Sequence, residues 1–205
     1  VLAALRQSAE NISRFAKKEL PKQWEMKTEG GFMGKKIVPL DSVGVYAPGG
    51  TAAYPSSVLM GVIPAKVARV GEIILCAPCN SEGECNPVVL VAADIAGATK
   101  IFRIGGSQAI AAMAIGTRSV PRVAKIVGPG NAYVAAAKLE ALARNLVAID
   151  SPAGPTEVFI IADKTANPKF IAADLLAQAE HDVNSAAVLV ATSKEIINET
   201  EKELK

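Results

Sequence analysis

Gln178 and His181 are the residues whose types and spacing most directly suggest chemistry. They stand three positions apart in the run Leu175–Asp182, and His181 is the sole histidine among 205 residues. On a helix this spacing puts both side chains on one face, so an amide oxygen and an imidazole nitrogen could converge on one metal ion or substrate. A lone histidine is more often a capping or hydrogen-bonded structural residue. Taken alone, the pair leaves both interpretations open.

Three glycine-rich turns form a second set of candidates. Each follows a predicted strand and precedes a predicted helix: Tyr46–Thr51, Ile104–Gln108 and Val127–Asn131. At the carboxyl end of a strand in an open α/β sheet, small residues let a phosphate reach the N–H groups of a helix start. Together the turns predict a nucleotide or anion cleft. The geometry of a tight turn explains any one of them alone, and none matches the dinucleotide fingerprint or the Walker loop.

Two amide side chains follow the glycines of these turns. Gln108 and Asn131 stand at the predicted first turn of the next helix. There an amide can cap the helix or hydrogen-bond a ribose or amide group of a ligand. For Asn131 capping and ligand binding are equally compatible with the sequence.

The three cysteines have the spacing Cys76-x-x-Cys79-x5-Cys85. A structural zinc site needs a fourth ligand, and the histidine is far away in sequence. A nucleophilic cysteine needs a nearby histidine or helix N-terminus to lower its pKa, and the sequence indicates neither. We therefore interpret these cysteines as structural. An odd number of cysteines also argues against a secreted disulfide framework.

The elements that must position these residues alternate in type along the chain. The predicted strands are Ser42–Ala47, Glu72–Ala77, Lys100–Ile104, Ala124–Val127, Leu146–Ile149, Val158–Ala162 and Ala186–Ala191. The predicted helices are Val1–Leu20, Ser56–Val70, Pro87–Ala96, Ser107–Gly116, Asn131–Ala143 and Asn167–Glu180. Strand followed by helix, repeated, implies parallel sheets with helices on their faces. We expect an α/β fold with two Rossmann-like layers, mostly parallel sheets and a three-layer αβα arrangement.

A break in this rhythm predicts a domain boundary. The segment Asn145–Glu157 places two strands next to each other with no room for a crossover helix, which is where a chain leaves one sheet for another. We expect one Rossmann-like domain at residues 46–157 and a second, incomplete one from residues 1–45 and 158–205. The chain starts inside one helical pattern and ends inside another, so a fragment is expected.

Composition excludes several classes of partner. Half of the residues are hydrophobic, 4% are aromatic and the formal net charge is +2. No basic block of the kind that nucleic-acid-binding proteins carry is present, and the longest apolar runs, such as Val58–Ala65, are far shorter than a bilayer span. We expect a cytoplasmic protein that binds neither nucleic acid nor membrane.

Five motifs occur in an order and spacing that resemble histidinol dehydrogenase, and they cover nearly the whole chain. They are Tyr46-Ala-Pro-Gly-Gly, Gly105–Ala112, Lys125–Val134, Ile149–Val158 and Asp174–Asp182. The resemblance implies an enzyme that oxidises L-histidinol to L-histidine through L-histidinal with two NAD+, in the last steps of histidine biosynthesis. It also implies one zinc ion per active site and a homodimer.

The resemblance assigns roles to individual residues. It implies that Tyr46, Gln108 and Asn131 bind NAD. The substrate-binding positions that it implies are Thr156, Gln178 and His181, of which Gln178 and His181 are also zinc ligands. The family mostly has Ser where Thr156 stands, and the hydroxyl is kept.

One part of the family pattern is absent. The acid/base pair in a Gly-Pro-Glu-His stretch, and the remaining Asp and His zinc ligands, belong to a C-terminal half that this sequence does not contain. We therefore expect the chain by itself to be inactive, with no catalytic acid/base residue of its own. Two alternatives stay open: a non-catalytic nucleotide-binding or assembly scaffold, and a thiol-dependent aldehyde dehydrogenase using Cys76, Cys79 or Cys85.

Overall fold

The computed structural model describes residues 1–49, 53–152, 157–180 and 185–204. By contacts between Cα atoms the chain divides into two compact units, Val1–Ala153 (unit 1) and Gly154–Lys205 (unit 2). The helices are α1 (Leu2–Glu19), α2 (Pro55–Val67), α3 (Pro87–Ala96), α4 (Gly106–Ile115), α5 (Ala132–Ala143), α6 (Pro168–Ala179) and α7 (Lys194–Glu203). The strands are β1 (Trp24–Thr28), β2 (Gly31–Lys35), β3 (Ser42–Tyr46), β4 (Glu72–Ala77), β5 (Lys100–Arg103), β6 (Lys125–Val127), β7 (Ala148–Ile149), β8 (Glu157–Ala162) and β9 (Ala186–Ala191).

Unit 1 is built on a five-stranded parallel sheet. Its strand order is β5-β4-β3-β6-β7, and β3 at the centre pairs with both β4 and β6. Successive parallel strands need a long crossover: α2, α3 and α5 connect neighbouring strands, and α4 leads from β5 to β6 on the other side of β3. All five strands therefore present their carboxyl ends at the same edge.

Both faces of this sheet are covered, because successive side chains of a strand point to opposite faces. On β4, Ile73 and Leu75 belong to a core formed with α1, α2 and α3, whereas Ile74 and Cys76 belong to a core formed with α4 and α5. A strand buried on both faces appears in the sequence as a continuous apolar run, which Ile73–Ala77 is. Unit 1 therefore has the predicted three layers.

Asparagine side chains fix the starts of several helices. Asn86 accepts a hydrogen bond from the N–H of Val88 at the start of α3, and Asn167 accepts one from the N–H of Lys169 at the start of α6. In both cases a proline follows directly, at the first helical position, where its missing N–H costs nothing. The pair Asn-Pro therefore determines where these helices begin.

Unit 2 contains a two-stranded parallel sheet, β8 and β9, with α6 and α7. Ala162, Ile171, Leu175 and Ile196 form its small core. The other face of the two strands carries Phe159, Ile161, Val188 and Val190, all of which are exposed. One face of this sheet is thus covered within the unit, and the opposite face presents apolar side chains.

An antiparallel hairpin in unit 1 is not predicted by the sequence analysis. Strands β1 and β2 pair from Trp24↔Lys35 to Thr28↔Gly31 around a turn at Glu29 and Gly30. All but one of their residues are exposed, so the alternation of buried and exposed positions that identifies a strand is missing. Such a hairpin leaves little signal in the hydrophobic pattern.

The predicted α/β class with mostly parallel sheets is confirmed, but the described residues group differently from the expected domains. A boundary at residue 46 divides β3, the central strand of the sheet, and residues 1–45 belong to unit 1. The physical reason is that α1 packs on α2, and Leu5 joins the core beneath β3 and β4. The grouping expected for a longer chain, with residues 1–45 beside 158–205, stays a prediction.

Among the described helices, none combines the length and the apolar composition that a membrane span requires.

Candidate functional site

The carboxyl edge of the five-stranded sheet contains a topological switch point. The chain runs outward from β3 through β4 to β5, then returns to the other side of β3 at β6. Because the crossovers on the two sides cover opposite faces, a crevice opens between the ends of β3 and β6. Tyr46 ends β3 and Val127 ends β6, so two of the three glycine-rich turns lie at this crevice.

Tyr46 links the switch point to the start of α4. Its side chain is 4% exposed, and its hydroxyl accepts a hydrogen bond of 3.0 Å from the N–H of Gly106. Gly106 is the first residue of α4, where N–H groups have no partner within the helix. The phenol therefore joins the turn after β3 to the turn after β5, 60 residues later.

The turn after β6 touches the turn after β3 directly. Gly128 has a φ of +114°, and a Cβ at this position would overlap the carbonyl oxygen of Tyr46. Only glycine permits both that backbone conformation and that close approach. The N–H of Gly128 donates a hydrogen bond of 2.8 Å to Oδ2 of Asp150, at the end of β7.

Lys138 holds the same turn from the side of α5. Its side chain is 1% exposed, and Nζ donates to the carbonyl oxygens of Gly128 at 3.0 Å and Ser151 at 3.1 Å and to the carboxylate of Asp150. All three protons of the ammonium group are thus used, which a buried lysine requires. One buried cation joins α5, the β6 turn and the end of β7.

The Asp150 carboxylate is held in its ionised form. Partial burial opposes ionisation, but the hydrogen bonds from Lys138 and from the N–H groups of Gly128 and Ser151, with the positive charge of Lys138, outweigh it and lower the pKa below 3.8. Asp150 is therefore negatively charged at neutral pH and balances Lys138.

Asn131 is observed as a helix cap. It precedes α5, its side-chain oxygen accepts a hydrogen bond of 3.1 Å from the N–H of Val134, and the residue is exposed. Capping uses the oxygen and leaves the two N–H groups of the amide as donors. The structural role is observed; the predicted role in NAD binding stays a prediction.

Gln108 is exposed on the first turn of α4. The Ser107 hydroxyl lies 3.4 Å from its side-chain oxygen, and the residue lines a groove of 350 Å³ between α4 and α5. The N-terminus of α4, with its Tyr46 contact, brings Gln108 to the same edge as the other two candidates. The predicted NAD-binding residues thus share one edge of the sheet.

A groove of 680 Å³ lies at the carboxyl ends of β3, β4 and β5. Pro78 packs closely between two of the glycine turns: a Cβ at Gly49 would lie 2.7 Å from its Cγ, and one at Gly105 would lie 2.5 Å from its Cβ. Cys79 and Arg103 also line this groove. A larger groove of 920 Å³ beside α2 is mainly apolar and reaches the switch point at Gly128, Pro129 and Asp150.

The cysteines are free thiols, two of them buried. Burial raises the pKa of Cys76 to about 12, and burial together with the neighbouring thiol of Cys79 raises the pKa of Cys85 to about 11. These pKa values disfavour Cys76 and Cys85 as catalytic nucleophiles. In the described part of the chain, no group of three His, Cys, Asp or Glu side chains could hold a metal ion.

The predicted zinc and substrate residues are less fully described. Gln178 lies near the end of α6 and is half-buried. Thr156 and His181 lie outside the described residues, so the pairing of Gln178 with His181 stays a prediction. Gln178 does lie on a helix, as its predicted spacing requires.

Sequence reasoning missed Lys138 and the role of Asp150. A signal was available: Val134, Lys138 and Ala141 follow helical spacing, and all three are buried. A lysine on the apolar face of a helix requires a buried partner. The partner could not be chosen from the sequence, because β7 lies beside β6 only through the sheet pairing.

Comparison with known proteins agrees with this geometry. The family model described as histidinol dehydrogenase matches residues 1–205. The chain belongs to the histidinol dehydrogenase family. The histidinol dehydrogenase of Methanosarcina mazei is 52% identical over 206 residues, covering 100% of this chain and 47% of that protein. The enzyme of Clostridium acetobutylicum is 50% identical over 205 residues, with the same coverage of both chains.

A solved structure supports the fold. The crystal structure of histidinol dehydrogenase from Elizabethkingia anophelis matches with a TM-score of 0.92 and 43% identity, over 98% of this chain and 47% of that one. The chain therefore spans about half the length of the family members that it matches.

Proposed function

We propose that this chain supplies the NAD-binding edge, and part of the zinc and substrate site, of an enzyme that oxidises L-histidinol to L-histidine through L-histidinal with two NAD+. The observation that carries the proposal is the meeting of the Tyr46, Gly106 and Gly128 turns at the switch point, in a chain of the histidinol dehydrogenase family. Open α/β sheets bind dinucleotides at such a point. The enzyme would act in histidine biosynthesis in the cytoplasm, as a homodimer.

The residues at this edge fit a dinucleotide in charge and in hydrogen-bonding type. The helices α4 and α5 begin there, and their N-termini carry partial positive charge that favours phosphate groups. Gln108 and Asn131 are exposed amides on these helix starts. Tyr46 accepts the Gly106 N–H and keeps its own O–H proton as a donor. We assign NAD binding to these three side chains.

Gln178 and His181 would hold the zinc ion, and Thr156 would hydrogen-bond the substrate through its hydroxyl. An amide oxygen and an imidazole are two donors of the about four that zinc usually takes, so substrate atoms and other protein residues must complete the set. When bound, zinc would orient the amine and imidazole of histidinol. The residues of this chain fit one half of such a site.

The chemistry requires a site that retains an intermediate. Oxidation of a primary alcohol to an acid removes two hydrides, one to each NAD+, with an aldehyde between the steps and a water molecule added before the second. The acid/base groups for this chemistry belong to the family's C-terminal half, so this chain contributes binding and orientation. By itself it is expected to bind NAD without turnover.

The main test is turnover by the full-length gene product that contains this sequence. With L-histidinol and zinc we expect it to form two NADH for each histidine, and we expect His181→Ala to lose bound zinc, measured by atomic absorption. If the full-length protein reduces no NAD+, or if His181→Ala keeps both its zinc and its activity, the proposal fails.

A pair of variants separates the two roles of Asn131. Asn131→Ser keeps an oxygen that can cap α5 but removes the amide donors, whereas Asn131→Ala removes both. If the amide binds NAD, both variants should weaken NAD binding, by about tenfold for the loss of a ligand hydrogen bond, and only Asn131→Ala should lower the melting temperature. Unchanged NAD binding by the serine variant would leave Asn131 a cap alone.

Titrating this 205-residue chain with NAD and with zinc also tests the scaffold alternative. Binding of NAD without turnover supports a contribution to the enzyme, as proposed here. Binding of neither NAD nor zinc, by a folded chain, would favour an assembly scaffold.

A further inference from the structure

Cys79 and Cys85 face each other across the loop that follows β4. Their sulfur atoms lie 3.3 Å apart, although five residues separate them in sequence. Just inside the pair, the N–H of Asn80 donates a hydrogen bond of 3.0 Å to the carbonyl oxygen of Glu84. The two thiols therefore flank the closed end of a short loop.

Hydrogen bonds hold this loop closed without help from the sulfur atoms. The side-chain oxygen of Asn80 accepts from the N–H groups of Glu82 at 3.0 Å and Glu84 at 2.8 Å. Arg103, at the end of β5, donates to the carbonyl oxygen of Gly83 at 2.8 Å. The fold thus already holds the two cysteines together, so forming a bond between them requires little further loss of chain entropy.

We propose that Cys79 and Cys85 form a redox-active pair that reacts with low-molecular-weight disulfides and closes to a reversible disulfide across this loop. A disulfide bond is ~2.05 Å long, so the sulfur atoms must approach by about 1.2 Å from their present 3.3 Å. The proposal is independent of the proposed function, because it requires neither NAD nor zinc.

The reaction is balanced by the small disulfide. The Cys79 thiolate attacks one of its sulfur atoms, which forms a mixed disulfide and releases one small thiol. The Cys85 thiolate then attacks the Cys79 sulfur and releases the second small thiol. The two protein thiols lose two electrons and two protons, and the small disulfide gains them.

The order of attack follows from exposure and charge. Cys79 is partly exposed, whereas Cys85 is buried. Burial raises the pKa of Cys85 to about 11, the hydrogen bond and charge of Cys79 add to that rise, and the guanidinium of Arg103 opposes it. Once Cys79 is in a mixed disulfide, its contributions disappear while Arg103 remains. The first step therefore makes the second easier.

Closure would act on the candidate cofactor edge. Pro78, next to Cys79, packs between Gly49 and Gly105, and Cys79 and Arg103 line the same groove as Gly49. A covalent bond between Cys79 and Cys85 fixes a loop that touches two of the glycine turns. The redox state of the pair can therefore act on the packing of Pro78 against these two turns.

The test is to incubate the reduced 205-residue chain with glutathione disulfide and measure its intact mass and its alkylatable thiols. We expect a mass lower by two hydrogen atoms, one remaining thiol after denaturation, and full recovery with dithiothreitol. Cleavage after Glu82 and Glu84 separates the two cysteines in sequence, so the peptides stay joined only through the disulfide. A Cys76→Ser variant should also lose two hydrogen atoms but keep no alkylatable thiol, which assigns the bond to Cys79 and Cys85.

Single variants make the result decisive. Cys85→Ser should stop at the mixed disulfide and gain one glutathionyl group on Cys79, and Cys79→Ser should react at least tenfold more slowly than the unsubstituted chain. The proposal is overturned if the unsubstituted chain accumulates a stable mixed disulfide, if it links Cys76, or if it does not react while its circular dichroism shows the native fold.

Discussion

The two parallel sheets of this chain differ in how completely they are covered. In unit 1 the side chains on both faces of β3 and β4 are buried beneath helices. In unit 2 one face of β8 and β9 packs on α6 and α7, while the other exposes Phe159, Ile161, Val188 and Val190. Parallel sheets are usually covered on both faces. Unit 1 meets this requirement with its own helices, whereas the described residues of unit 2 cover only one face of their sheet.

The carboxyl edges of the two sheets differ as well. The edge of unit 1 is fixed by Lys138, Asp150 and the Tyr46 hydroxyl. In the ranges that the structure describes, all ion pairs lie in unit 1. A unit whose own core is complete can thus hold the turns at one edge of its sheet in a fixed arrangement. Unit 2 carries Gln178 on a smaller core.

The largest expected effect tests the difference in coverage with one residue type on two strands. Ile74 on β4 is 0% exposed and Ile161 on β8 is 77% exposed. Ile74→Ala removes buried methylenes and leaves a cavity, and should lower the free energy of unfolding by about 3 kcal/mol. Ile161→Ala should lower it by less than about 0.5 kcal/mol.

Hydrogen exchange of the β4 and β8 amides is the appropriate measurement, because two units need not unfold in one transition. If both variants lost a similar amount of stability, the two sheets would not differ in coverage, and the β8 face would be covered in solution.

A smaller effect tests the fixed edge of unit 1. Lys138→Met keeps much of the side-chain volume but removes three hydrogen bonds and leaves Asp150 without its cation. Breaking a fully buried ion pair lowers the free energy of unfolding by several kcal/mol. Because the side chain of Asp150 is 34% exposed, we expect a smaller loss here, of about 2 kcal/mol. Chemical denaturation followed by circular dichroism measures it.

The matched control for Lys138 is Arg144→Ala, which removes the exposed ion pair with Glu140 on the same helix. This variant should cost about 0.3 kcal/mol. If Lys138→Met lowered the free energy of unfolding by no more than Arg144→Ala does, the buried pair would not stabilise the edge.

The smallest effect is the pH dependence that Asp150 gives to the stability of unit 1. The pKa of Asp150 is lowered by folding, so its contribution to stability is present above 3.8, the pKa of the free side chain, and is lost as the pH falls through the folded pKa. Unfolding curves measured between neutral pH and about pH 3 should show this loss. Asp150→Asn should make the free energy of unfolding depend less steeply on pH in that range. An unchanged slope would mean that another carboxylate is responsible.

Most of the regular elements could be predicted because burial follows their period. Runs such as Ile73–Ala77 are apolar throughout because both faces of β4 are covered. The Asn-Pro pairs at Asn86 and Asn167 mark helix starts by local chemistry alone. The hairpin of β1 and β2 escaped prediction because its side chains are exposed, so no pattern of burial appears in its sequence.

The candidate site could be predicted only in part. Gly128 and Tyr46 were identified as turn residues, but their direct contact depends on β3 pairing with β6. Asn131 left a cap and a ligand role open, and the structure shows the cap. The expected division at residue 46 stays a prediction; in the described residues α1 packs on α2 within unit 1, a contact that local patterns do not contain.

The sequence by itself determined the α/β class, the glycine turns and the family, because these depend on local periodicity and on ordered motifs. Only the tertiary structure decided which distant residues meet: Tyr46 with Gly106, Lys138 with Asp150, and Cys79 with Cys85 across a loop that Arg103 holds. The physical reason is strand order. The order β5-β4-β3-β6-β7 brings separate turns to one edge, and a sheet's order is set by the packing of the whole unit rather than by any one segment.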